Sequence, residues 1–97
     1  MIIAITDQNE CDFAVKFEDA SRAKEVEECM EKGLDAWYCA TNPEYYDGTD
    51  FTKDEIEGFY WSGYAEPTSE LLNRKGIKHE IIGFRYDEHV ADKIISR

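Results

Sequence analysis

Ile2 to Thr6 opens the chain as a short apolar run, the mark of a buried strand. Asp7 to Glu10 is a polar turn. Phe13, Val15 and Phe17 then alternate with Asp12, Ala14 and Lys16, the period-2 pattern of a half-buried strand. Two strands so close together are expected to form a hairpin. Asp19 or Ser21 can cap a helix in which Ala23, Val26, Cys29 and Met30 recur at helical spacing among Glu25, Glu27, Glu28 and Glu31. Gly33 reads as its left-handed C-terminal stop. Ala36 to Ala40 reads as a third strand, with Trp37 and Tyr38 on opposite faces and Cys39 within it, ended by Asn42-Pro43.

Thr52 and Glu55 have capping-box spacing, so a short helix is predicted from about Lys53 to Tyr60 or Ser62. Its apolar face is Ile56, Phe59 and Tyr60, and Gly58 and Gly63 weaken it. Pro67 suits the first turn of another helix, anchored by Leu71 and Leu72 and closed by Gly76. Lys78 to Tyr86 is a late strand, with Ile82, Phe84 and Tyr86 on one face and Ile81 and Gly83 on the other. Asp87 can cap a last helix through Val90, Ala91, Ile94 and Ile95. The order ββαβααβα implies one α+β domain over residues 1–97. Its sheet is small and mostly antiparallel, with about four strands and helices packed on one face.

Composition adds a strong charge bias. The chain has 22 acids and 11 bases, a net charge of −11. Residues 1–66 hold 17 acids and 5 bases, and residues 67–97 hold 5 acids and 6 bases, which predicts a bipolar field. Direct binding to nucleic acid needs clustered Lys and Arg and is not expected. An anionic membrane surface is disfavoured for the same reason. The N-terminus shows neither a basic, signal-like start nor a long apolar stretch. Cys11, Cys29 and Cys39 are odd in number and have no C-x-x-C spacing, which fits reduced thiols in a cytoplasm.

The densest chemistry lies between Pro43 and Glu66. Seven acids (Glu44, Asp47, Asp50, Asp54, Glu55, Glu57, Glu66) and seven aromatics (Tyr45, Tyr46, Phe51, Phe59, Tyr60, Trp61, Tyr64) share this stretch with a single base, Lys53. Aromatics at this density fill a core or form a contact surface. Carboxylates at this density repel unless water, cations or a basic partner relieves them. The expected partner-binding set is Glu44, Tyr45, Tyr46, Asp47, Asp50, Asp54, Glu55, Glu57, Trp61 and Tyr64, joined by Glu25 and Glu28 from the first helix.

No catalytic, phosphate-binding or dinucleotide motif appears. His79 or His89 beside Glu80, Asp87 or Glu88 could form a general base, but no positioned nucleophile stands out. Cys and His spacings match no compact zinc pattern. The Asp47 to Glu55 loop has a superficial calcium-loop look, yet with Asp47 at position 1 the required Gly position is Thr52. No cofactor or metal is implied.

In size and in the negative charge spread over 1–66, the chain resembles the small acidic inhibitors of phages and mobile elements. These include nucleic-acid mimics among anti-CRISPR and antirestriction proteins. The resemblance implies a class and transfers no residue roles. The expected function is a non-enzymatic protein in a bacterial cytoplasm. It would dock its acidic and aromatic face on a basic protein, such as a nuclease or another nucleic-acid-binding factor. The alternatives are an adaptor or toxin-neutralising module anchored by Tyr45, Tyr46, Trp61 and Tyr64, and a small enzyme or ligand-binding domain using His79 or His89 with a carboxylate. Monomer and homodimer both fit, the latter if the late strand lies at a sheet edge.

Overall fold

A computed structural model describes residues 1–83 and 91–97. The strands are β1 (Ile2–Thr6), β2 (Phe13–Phe17), β3 (His79–Gly83) and β4 (Lys93–Ser96), and the helices are α1 (Ala23–Tyr38), α2 (Lys53–Ser62) and α3 (Glu66–Arg74). Short 3₁₀ turns at Ala20–Arg22 and Pro43–Tyr45 lead into α1 and out of it. The sheet order is β3-β2-β1-β4. β1 pairs antiparallel with β2, and β2 antiparallel with β3, while β4 runs parallel to β1. This is an α+β fold with one parallel pair in a mostly antiparallel sheet.

Alternation along the strands sorts the two sheet faces. Ile3, Ile5, Phe13, Val15 and Phe17 point to the helices and pack with Val26, Met30, Leu34, Ile56, Phe59, Leu71 and Leu72. Ile81 and Ile95 extend this face. Ala4 and Ala14 pair across the opposite face beside Ile2 and Ile82. The helices thus cover one face, as the patterning predicted. Among the described residues no helix is long and apolar enough to cross a membrane.

The expected third strand is instead the end of α1. Apolar positions at 26, 29, 30, 33, 34 and 37 continue the helical period through Gly33, and Cys39 follows as the C-cap. Gly33 therefore does not stop the helix. A Cβ there would meet the Thr68 Oγ1, lie 2.6 Å from the Thr68 backbone nitrogen and 2.8 Å from its Cα. The glycine lets α3 cross close to α1. Gly76, by contrast, does take a left-handed φ of 68° after α3.

The predicted last helix is also corrected. Ile94 and Ile95 belong to β4, hydrogen-bonded alongside β1, with Ala4 opposite Ile94 and Ile5 opposite Ile95. β-branched residues suit that pleated position. The late strand spans His79–Gly83, with Ile81 on the helix side. Residues 84–86 of the expected strand and residues 87–90 of the expected helix, including His89, lie outside the described residues. β3 is an edge of the sheet among the described strands.

Candidate functional site: an aromatic and acidic groove

α2 carries two stripes. Ile56 and Phe59 turn inward and are buried. Lys53, Glu57, Tyr60 and Trp61, at spacings of i, i+4, i+7 and i+8, share a second face. That face, together with Ala40, Thr41, Pro43 and Glu44, lines an open groove of about 570 Å³. The helix is held at its start by the predicted capping box: Thr52 Oγ1 accepts from the Glu55 amide at 3.2 Å, and Glu55 Oε1 accepts from the Thr52 amide at 2.9 Å. The Pro43–Tyr45 turn forms the facing wall.

The seven aromatics divide between the interior and the surface. Phe51 and Phe59 are buried, edge to face with centroids 4.9 Å apart. Tyr46 is half-buried, packs against Phe51 and covers Gly48. Tyr64 wedges between Phe13 and Trp37 and donates its hydroxyl to the Asp12 carbonyl at 3.0 Å. Burial, followed by the charge of nearby Asp50, pushes the Tyr46 phenol up; burial does the same to Tyr64. Tyr46 and Tyr64, expected as surface anchors, are therefore packing residues. Tyr45 and Trp61 stand out at 76% and 84% exposure. Tyr60, expected on the buried face, is 50% exposed and meets Trp61 edge to face at 4.9 Å. It lies one residue, about 100° of helical turn, beyond Phe59.

The acids divide as well. Glu55 is committed to the cap and to Arg74 at 2.6 Å. The Thr52 amide does most to hold its carboxyl below the usual range, against the opposing effect of burial, and the Arg74 cation adds to the lowering. Arg74 also bonds Glu70 and the Asp50 carbonyl, and its guanidinium lies over the Phe51 ring. Glu25 is held by Arg22 at 2.9 Å, and the same guanidinium bonds the Lys75 carbonyl, so this acid faces the end of α3 and does not line the groove. Glu28 is exposed beside Lys32 on α1. Of the seven acids between Pro43 and Glu66, only Glu55 forms an ion pair among the described residues. Glu44, Asp47, Asp54 and Glu57 are exposed and Asp50 is half-buried.

The bipolar field is softened by the fold. β4 lays Lys93 on Glu27 and Arg97 on Asp35, each at 2.5 Å, so late cations neutralise acids of α1. Among the described residues, Glu44 and Glu57, the acids that line the groove, have no ion-pair partner.

His79 takes an arrangement that sequence spacing did not reveal. Its Nδ1 lies 2.8 Å from the Ile77 carbonyl and its Nε2 lies 2.8 Å from Ser69 Oγ. A carbonyl can only accept, so in the neutral ring Nδ1 donates to Ile77 and Nε2 accepts from Ser69. This ties α3 to β3. No carboxylate takes part in these bonds. Among the described residues no group of three or more His, Cys, Asp and Glu could hold a metal ion. Cys11, Cys29 and Cys39 are free thiols, with Cys29 buried.

Comparison with protein-family models, with curated proteins and with solved structures returned no match.

Proposed function

We propose that this chain is a non-enzymatic binding protein that docks the groove face of α2 and the Pro43–Tyr45 turn on a basic protein surface. The consequence we infer is inhibition: carboxylates at intervals occupy a groove that would otherwise hold the phosphates of a nucleic acid, as in the small acidic inhibitors of phages. The setting is a bacterial cytoplasm and the partner a nuclease or another nucleic-acid-binding factor. One observation carries this reading. Exposed Tyr60 and Trp61 line one groove with Glu44 and Glu57, which have no ion-pair partner among the described residues, and exposed Tyr45 follows Glu44 in the chain. Exposed aromatics rimmed by acids suit a basic surface, where Arg stacks on rings and pairs with carboxylates. Long-range attraction would make association fast and salt-sensitive.

The test replaces Glu44, Asp47, Asp54 and Glu57 by their amides. All four are exposed, so the domain should keep its stability. Wild type and variant are immobilised and exposed to nuclease-treated bacterial lysate at low and high salt. The wild type should capture a nucleic-acid-binding protein at low salt only, and the variant should lose it. The captured protein should bind its nucleic acid less well in the presence of the wild type. A partner retained by the variant at high salt would refute the electrostatic reading. It would favour an adaptor anchored by Tyr45, Tyr60 and Trp61 alone.

A further inference from the structure

We infer that the groove is a recognition site for an arginine side chain presented by a basic protein segment. This rests on the proposed docking face and names its chemistry. The groove combines a stacking surface with carboxylate acceptors. Trp61 is 84% exposed, and Tyr60 braces its ring edge to face at 86°. Glu44 rises from the facing turn and Glu57 from the same helix stripe as Trp61. Among the described residues Lys53 is the one cation lining the groove, one turn before Glu57.

Aromatic faces beside carboxylates select a cation. An anion would meet Glu44, Glu57 and the net charge of −11. Between the two cationic side chains, the geometry favours Arg. Its planar guanidinium can stack on the indole while its N–H groups reach a carboxylate in the same plane, which a compact ammonium cannot do at once. A protein segment suits the site better than a free small molecule because the surface continues past the groove. Tyr45, next to Glu44 in the turn, is 76% exposed, and Asp54, three residues before Glu57 on α2, is exposed too. An open groove whose polar and aromatic surroundings extend outward is built for one side chain of a larger partner.

The test is fluorescence anisotropy with labelled nine-residue peptides of arginine, lysine or citrulline, titrated with wild type, Trp61→Ala, Glu57→Gln and the control Glu31→Gln. Glu31 is exposed on α1, away from the groove lining. Circular dichroism checks that each variant folds. The arginine peptide should bind tightest and the citrulline peptide should not bind. Trp61→Ala should weaken arginine binding about 3- to 30-fold, the range a stacked cation contributes, and abolish the preference over lysine. Glu57→Gln should weaken arginine binding, and Glu31→Gln should leave the preference intact. Equal binding of the arginine and lysine peptides, unaltered by Trp61→Ala, would overturn the arginine site and leave the acidic docking face standing. Failure of both cationic peptides to bind at low salt would overturn both. Free arginine binding as tightly as the peptide would overturn the assignment to a protein segment.

Discussion

Replacing Gly33 and Gly58 by alanine makes the same chemical change in two helices, and the structure predicts opposite signs. Gly58 lies on the exposed side of α2 with nothing within 4 Å of an added Cβ. Gly58→Ala should simply gain helix propensity, about 0.8–1 kcal/mol. At Gly33 the same gain is opposed by contact. The new carbon would fall 2.6 and 2.8 Å from the Thr68 backbone nitrogen and Cα. Carbon contacts relax near about 3.5–4.0 Å, so α3 would have to retreat by roughly 1 Å. Backbone atoms of a packed helix cannot rotate away. The retreat would loosen Thr68, Leu71 and Leu72 against Cys29, Met30 and Leu34, and stretch the 3.4 Å bond from Thr68 Oγ1 to the Cys29 carbonyl. Overpacking of this kind costs about 1–3 kcal/mol, and a weakened buried hydrogen bond about 1 kcal/mol more. After the propensity gain, Gly33→Ala should lose about 1–3 kcal/mol. In a domain of this size that is a fall in Tm of roughly 4–24 °C, whereas Gly58→Ala should rise by about 3–8 °C. Thermal unfolding followed by circular dichroism decides it. A Gly33→Ala protein as stable as the wild type would refute the close α1–α3 crossing.

Thr52→Ala removes the cap of α2 and should cost about 1 kcal/mol in a urea titration, with the slope unchanged. Tyr64→Phe deletes the hydroxyl bonded to the Asp12 carbonyl and should cost about 1 kcal/mol, while Tyr45→Ala should stay within about 0.5 kcal/mol; reversed values would return Tyr64 to the surface and Tyr45 to the interior. Burial pushes the Asp7 carboxyl up, but bonds from the Tyr38 hydroxyl and the Cys11 and Asn9 amides outweigh it and hold the group below its usual value. Its contribution to stability is therefore present above the unfolded carboxylate pKa of about 3.9 and lost as pH falls through the lower folded value. Asp7→Asn should flatten that acid limb of the stability profile. Burial and the bond to Asp7 push the Tyr38 phenol up to about 12. That contribution is present below the unfolded pKa of about 10 and lost as pH rises through the folded value. Absorbance titration of phenolate should show a late-ionising tyrosine that Tyr38→Phe removes.

Much of the candidate site was legible from residues 43–66 because its residues are neighbours in sequence. Glu44, Tyr45, Asp47, Asp54, Glu57 and Trp61 are all exposed there. Three of the expected contact residues are tied up by partners distant in the chain. Tyr64 finds Asp12, Glu55 finds Arg74, and Glu25 shares Arg22 with the Lys75 carbonyl. Tyr60 was drawn into the apolar stripe of α2 by its type, although the helix turns it outward beside Trp61.

By itself, the sequence determined whatever depends on contacts within a turn or two. An apolar run set β1, alternation set β2, the Thr52 and Glu55 pair started α2, and Pro67 and Gly76 bounded α3. It also determined the net charge. Tertiary structure decided whether Gly33 ended a helix or admitted one, because the answer lies in Thr68. It turned Ile94 and Ile95 from a helical pair into a strand, because β1 offered them a ladder. It also chose which acids of α1 were paired, by bringing Lys93 and Arg97 back to Glu27 and Asp35. A periodic pattern can be read over a few residues. A contact between residues far apart in the chain exists only once the chain has closed on itself.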